Sequence, residues 1–154
     1  MDINFNETKN KIFKDLENER HIVIATSSDD KVTARNISHI IVNDKIYFQT
    51  DKNFEKIEQI DKNEQVALCV NNIQIVGTAK VCGHPFDKSN EFFLIKFKNI
   101  HTKSFSLYSK MADEVVVEVS PIFVTLWEYE ENKPLRIFVD FKKQTVVREY
   151  CDNR

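Results

Sequence analysis

Only two glycines, Gly77 and Gly83, occur among 154 residues, where a globular chain averages about 7%. Neither a P-loop nor a G-x-G-x-x-G turn can be built from them. A phosphorylated ligand would therefore have to be held by side chains and ordinary backbone amides rather than by a glycine-lined cradle.

Length sets the next bound. A chain of 154 residues fits one domain, taken as 1–154, and suffices to bury a core. Hydrophobic residues make up 42% and charged residues 30%, the composition of an ordinary soluble globular protein, and no window approaches the roughly 18 apolar residues of a membrane span. The opening MDINFNETKNKIF carries acids and asparagines where a secretory leader has a basic start and an apolar block. A cytoplasmic location with no membrane partner is expected. The net charge is -2 and the lysines and arginines are scattered, which gives no footprint for nucleic acid. Cys69, Cys82 and Cys151 are odd in number, widely spaced and without a C-x-x-C pair, so they read as reduced, mostly buried thiols.

Strand signals dominate the pattern. Asn4 or Asn6 is placed to cap a first helix running to about Glu19, with Phe5, Ile12, Phe13 and Leu16 on one side to cover a barrel end. HIVIATS from His21 is a short strand, followed by a polar turn over Ser27 to Lys31. Val32 to Val42 and Lys45 to Thr50 read as strands joined at Asn43-Asp44, a tight hairpin connection. Asn53 is placed to cap a helix carrying Ile57 and Ile60 and ending near Lys62-Asn63. The run VALCV from Val66, a turn at Asn71-Asn72 and IQIVGTAKV form a second hairpin. Two short Phe-rich helices fill Pro85 to Lys110, and strands return over Glu114 to Val119, Ile122 to Glu130, Leu135 to Phe141 and near Val146. Such spacing predicts a mainly β chain with peripheral helices, an antiparallel barrel.

Within this pattern, Arg35, Thr50, Asn53 and Lys56 form a set suited to phosphate. A guanidinium fork and an ammonium satisfy phosphate oxygens strongly, and a helix start after Thr50 adds backbone donors and a positive dipole. Spacing alone also allows Arg35 and Lys56 to be solvated surface charges.

The order of elements and residues resembles the FMN-binding split-barrel family of pyridoxamine 5'-phosphate oxidase and its short relatives. The matching pieces are Arg35 in ARNISHI, the strand KIYFQT ending in Thr50, Lys56 followed by IEQIDKNEQVALCV, and NIQIVGTAKV. The resemblance implies an antiparallel split β-barrel with FMN as cofactor, lying at the interface of a homodimer. It implies that Arg35, Asn36, Ile37 and Ser38 lie along the flavin and its phosphate tail, with further roles for Gln49 and Thr50. It also implies that Lys56 contacts the phosphate, and that Asn72 stands where the oxidase has a glutamine near the ring. The implied activity is a flavin-dependent oxidoreductase on an unknown small molecule, with NAD(P)H a candidate reductant. The alternative is a non-catalytic flavin- or haem-binding, stress-related module on the same fold. No catalytic acid or base is identifiable, and flavin redox chemistry need not have one.

The chain departs from the family pattern in several places. Phe54 and Glu55 stand where the family often has Ser and Arg. The connection between Arg35 and Thr50 is about one residue shorter, a change able to shift the register of Asn36 to Ser38 and swap their faces. No arginine-rich segment follows Phe141, so oxidation of pyridoxamine phosphate is not implied. Elsewhere, Cys82-Gly83-His84 with Cys69 or His101 lacks the count and spacing of a zinc site, and no metal is expected. His39 alternates with Ile37 and Ile41 and reads either as facing the flavin or solvent or as a partly buried strand histidine. The Phe-rich helices and Trp127 read first as core and next as a dimer contact. Hydrolytic motifs are lacking: there is no G-x-S-x-G and no carboxylate pair set apart from the surface acids.

Overall fold

The computed structural model describes residues 3–151. Among them a nine-stranded antiparallel sheet forms, with strand order β2-β1-β5-β6-β7-β4-β3, β8 added on β7 and β9 on β8. The strands are β1 (His21–Ser28), β2 (Lys31–Ser38), β3 (Ile40–Val42), β4 (Lys45–Asp51), β5 (Gln65–Val70), β6 (Ile73–Val81), β7 (Glu114–Glu130), β8 (Lys133–Asp140) and β9 (Thr145–Tyr150). Around them lie α1 (Ile3–Asn18), α2 (Glu55–Lys62), α3 (Glu91–Ile100) and α4 (Thr102–Tyr108). This is the expected mainly β architecture, an unclosed split barrel with helices at its periphery.

The split originates in β7. Its residues 114–119 pair with β4, and residues 123–130 pair with β8 on the same edge, while β6 accompanies the other edge along most of its length. Glu114 to Val119 and Ile122 to Glu130 are expected from the sequence as separate strands. Instead the strand runs through Pro121, which lies where β4 has ended and β8 has not begun. On the β6 side the register shifts between Val76 and Gly77, so that Ile122 is the extra residue of a bulge.

The expected strand from Val32 to Val42 is likewise corrected: it breaks at His39 into β2 and β3, which sit at opposite ends of the strand order. His39 is buried, and its backbone carbonyl accepts a bond from His101 Nε2 at 2.8 Å in place of a ladder partner. Its own Nε2 donates to the Leu16 carbonyl at 2.7 Å. Burial holds both imidazoles below their ordinary pKa, and so uncharged. The pairing Asn36↔Val23, Ile37↔Ile22 and Ser38↔His21 sends Ile37 into the core and leaves Asn36 exposed.

Helix α1 covers the barrel end as expected, burying Phe5, Ile12, Phe13 and Leu16, with Phe5 and Phe13 edge-on to Phe141 at 5.5 and 6.1 Å. It is already helical at Ile3, so Asn4 and Asn6 lie inside it rather than capping it. A smaller cluster of Ile40, Tyr47, Phe93, Phe97 and Val116 packs α3 against the sheet. Two expectations fail for side chains at the surface. Trp127 is 39% exposed and lies under the Arg136 guanidinium at 5.5 Å, and Cys69 is exposed while Cys82 and Cys151 are half-buried. All three cysteines are free.

The bulge depends on Gly77, because a Cβ there would stand 2.6 Å from the Ser120 carbonyl oxygen. Gly77→Ala should lower the unfolding free energy by about 1–3 kcal/mol. Urea denaturation measures this, and an unchanged midpoint would contradict the close approach.

Candidate functional site

A cleft of about 360 Å³ opens where β2 and β4 face each other across the seam without pairing. Asn36, Ile37 and Ser38 come from β2, Gln49, Thr50 and Asp51 from β4, and Phe54 and Lys56 from the start of α2. The far wall is Phe97, Ser104, Tyr108, Met111 and Glu114. Because β2 ends the strand order, one edge of its backbone is left open to a flat ligand with hydrogen-bonding rims.

One end of the cleft is cationic. Lys56 Nζ donates to Thr50 Oγ1 at 2.8 Å and lies 4.9 Å from the centre of the Phe54 ring. Burial is the main cause that pulls its ammonium below the ordinary lysine pKa, and the Arg35 charge adds to it. A cation that has already lost water gains more from an incoming anion than a solvated one does. Phe54, the departure from the family pattern, thus supports the lysine through its ring face.

Arg35 does not line the cleft. Its Nη1 donates to Thr26 Oγ1 at 2.7 Å and its Nη2 to Thr33 Oγ1. Those two hydroxyls donate in turn to Gln59 Oε1 at 2.5 and 2.7 Å, and Gln59 Nε2 reaches the Lys31 carbonyl at 3.2 Å. Thr26 and Gln59 are each 2% exposed. Arg35 is therefore a strut that ties β1 and β2 to α2 behind Lys56. Gln59 escaped the sequence reading although it lies three residues after Lys56 on the same helix face, the spacing that could have found it.

Two further expected residues are engaged elsewhere. Asn53 does not cap α2, whose N-cap is Phe54 with no side-chain bond; its Nδ2 donates to Asp113 Oδ2 at 3.0 Å. Asn72 sits at the turn between β5 and β6, outside the cleft lining, and its Nδ2 donates to the Trp127 carbonyl at 2.7 Å. Gln49 is oriented by Ser109, whose buried hydroxyl donates to Gln49 Oε1 at 2.7 Å, so the amide NH2 is left for the cleft. Asn36, Ile37, Ser38, Gln49, Thr50 and Lys56 are thus brought together, and Arg35 supports them from behind.

Asp51 and Glu114, both in the lining, were not anticipated. They oppose each other in the β4–β7 ladder, a register that no local spacing discloses. Glu114 is buried, and burial first and the Asp51 charge second hold its carboxyl above the usual range. The cleft therefore combines one desolvated ammonium, a buried hydroxyl, an amide donor and two carboxylates with the side chains of Phe97, Tyr108 and Met111. Such a site can hold an elongated, partly apolar ligand with an anionic end.

No protein-family model and no curated protein matches the sequence. Solved structures do. A pyridoxamine 5'-phosphate oxidase-related, FMN binding protein from Nostoc punctiforme aligns with 98% of this chain and 96% of its own at 13% identity and a TM-score of 0.60. General Stress Protein 26 from Bacillus anthracis covers 93% of this chain and 99% of its own at 19% identity and a TM-score of 0.65. HutZ, the heme storage protein from Vibrio cholerae, covers 75% and 89% at 9% identity and a TM-score of 0.62. At these identities the likeness is one of fold: the chain has the split-barrel fold of pyridoxamine 5'-phosphate oxidase-like proteins.

The strut behind Lys56 is testable on its own. Gln59→Leu removes the shared acceptor of two hydroxyls and should cost about 1–3 kcal/mol in a urea melt. A variant as stable as the parent would show that the network contributes nothing.

Proposed function

We propose that this chain is an FMN-binding flavoprotein, and that it works as a flavin-dependent oxidoreductase on a small molecule. The observation that carries the reading is the desolvated Lys56 ammonium, set against Thr50 at the end of a cleft whose far wall carries Phe97, Tyr108 and Met111. Lys56 and the Thr50 hydroxyl would hold the phosphate, with the positive potential of Arg35 behind them. The open edge of β2 from Asn36 to Ser38 and the Gln49 amide would meet the polar rim of the ring, and Phe97, Tyr108 and Met111 would cover its face and exclude water. FMN when bound supplies the electron-transfer chemistry, and the chain supplies binding, orientation and electrostatics.

A homodimer with a flavin site at its interface belongs to the same reading. Its support is the apolar surface beside the cleft, where Leu107, Tyr108 and Met111 are 50%, 46% and 54% exposed. NAD(P)H as reductant and a cytoplasmic setting complete the proposal. Among the described residues no helix is long and apolar enough to cross a membrane. The competing reading, a haem-binding module on this fold, is less well served: no histidine lines the cleft, and its one cationic end suits a phosphate.

Quenching of flavin fluorescence on titration tests the site. Lys56→Ala should weaken FMN binding by about tenfold or more, as expected for loss of a charge-assisted bond, and should leave riboflavin binding nearly unchanged. A wild-type protein that leaves FMN fluorescence unquenched would remove the flavin reading. Bound flavin that NAD(P)H does not reduce would leave a binding module in its place.

A further inference from the structure

The cleft carries more negative charge than an anion site requires. Glu114 enters it at the first residue of β7, 7% exposed, with Asp51 opposite it in the ladder. The other groups around it are Lys56 from α2, His84 from the segment after β6, and Asp113 beside it in the chain. Asp113 is drawn off by Lys52 at 3.4 Å and by Asn53. The His84 ring lies between the Met111 carbonyl, to which Nε2 donates at 2.8 Å, and the Phe86 amide, which donates to Nδ1 at 3.0 Å. From α4 the cleft receives only Ser104 and Tyr108. Lys56 is thus the one cation of the lining and faces two carboxylates.

A phosphate monoester brings about -1.5 to -2 charges near neutral pH. Placed at Lys56 and Thr50, it would leave the lining with a net excess of negative charge in a partly desolvated space, where like charges repel strongly. Asp51 is half-buried, and its Oδ1 accepts the Asn53 amide at 2.8 Å. Glu114 is the more buried of the two and is already displaced toward its neutral form. It is the group that gives way at the least cost.

We propose that Glu114 takes up a proton from solvent when a phosphate monoester enters the cleft, so that ligand binding is coupled to pH through this one carboxylate. The inference rests on the flavin-phosphate reading and adds a specificity device to it. The cleft accepts the phosphate fully only with Glu114 neutral, and ligand retention weakens as pH rises. The sign follows from linkage. The bound state holds more protons than the free state, so affinity falls with increasing pH until Glu114 can no longer be protonated even with ligand bound.

The test is calorimetric titration of FMN into wild type and Glu114→Gln, each at about pH 7 in two buffers of different ionisation enthalpy. Wild type should take up more protons per FMN than the variant. The variant, whose amide needs no proton, should hold FMN with an affinity that falls less than that of wild type as pH rises, the ratio of the two growing to about tenfold, the equivalent of one pKa unit. Riboflavin, which lacks the phosphate, should show neither difference. Equal proton counts in the two proteins would overturn the inference and move the titration to Lys56 or to the phosphate itself. Should Glu114→Gln fail to fold, infrared difference spectra of the wild type serve instead. A protonated-carboxyl band that appears with FMN and not with riboflavin supports the proposal, and no such band refutes it. Wild type that fails to bind FMN rejects the flavin reading and this inference together, whereas FMN binding without Glu114-dependent proton uptake rejects this inference alone.

Discussion

The architecture hangs on a single strand that serves two partners along one edge. Strand β7 carries β4 on its first part and β8 on its last, and the short gap at Ser120 to Ile122 is what lets the two diverge. Three local features accommodate that gap: a proline in the stretch between the two ladders, a bulge on the β6 side, and a glycine small enough for the Ser120 carbonyl to approach. The divergence leaves β2 and β4 facing each other without a ladder, and the cleft occupies the space between them. The site is thus a by-product of how the sheet fails to close.

Within the cleft, burial sets the electrostatics more than proximity does. Lys56 and Glu114 are both moved toward neutrality first by loss of water and only then by neighbouring charges. An anion reverses the shift for the lysine and deepens it for the glutamate. An anion held there would therefore act on the two groups in opposite senses, and its affinity would reflect the balance of the two. Arg35 stays out of contact, yet through the Thr26, Thr33 and Gln59 network it fixes the helix that presents the lysine.

Much of this was legible in the sequence because it is local. Alternating apolar residues gave the strands, Asn43-Asp44 and Asn71-Asn72 gave the turns, and Thr50 followed by Lys56 gave the cationic end of the cleft, which Arg35 does not line. Features set by tertiary pairing were not legible. The break at His39 depends on a carbonyl claimed by His101 from the distant junction of α3 and α4, and the continuity of β7 through Pro121 depends on partners changing at that point. Glu114 enters the cleft only through its register with Asp51. Asn72 and Asn53 have suitable chemistry, but their amides are taken up by Trp127 and Asp113, contacts that cannot be read from spacing.

The turns give the glycine shortage another meaning. Left-handed backbone, usually glycine's domain, is adopted here by Asp29-Asp30, Asn43-Asp44, Asn71, Glu131-Asn132 and Gln144. Each such residue gives up some intrinsic preference in the native state, least where Asn or Asp is used. A chain so poor in glycine also samples fewer conformations when denatured, so less entropy is lost on ordering it. The strain held in these tight turns is offset in part by a narrower unfolded ensemble, and the stability of the barrel owes something to a state in which no barrel exists.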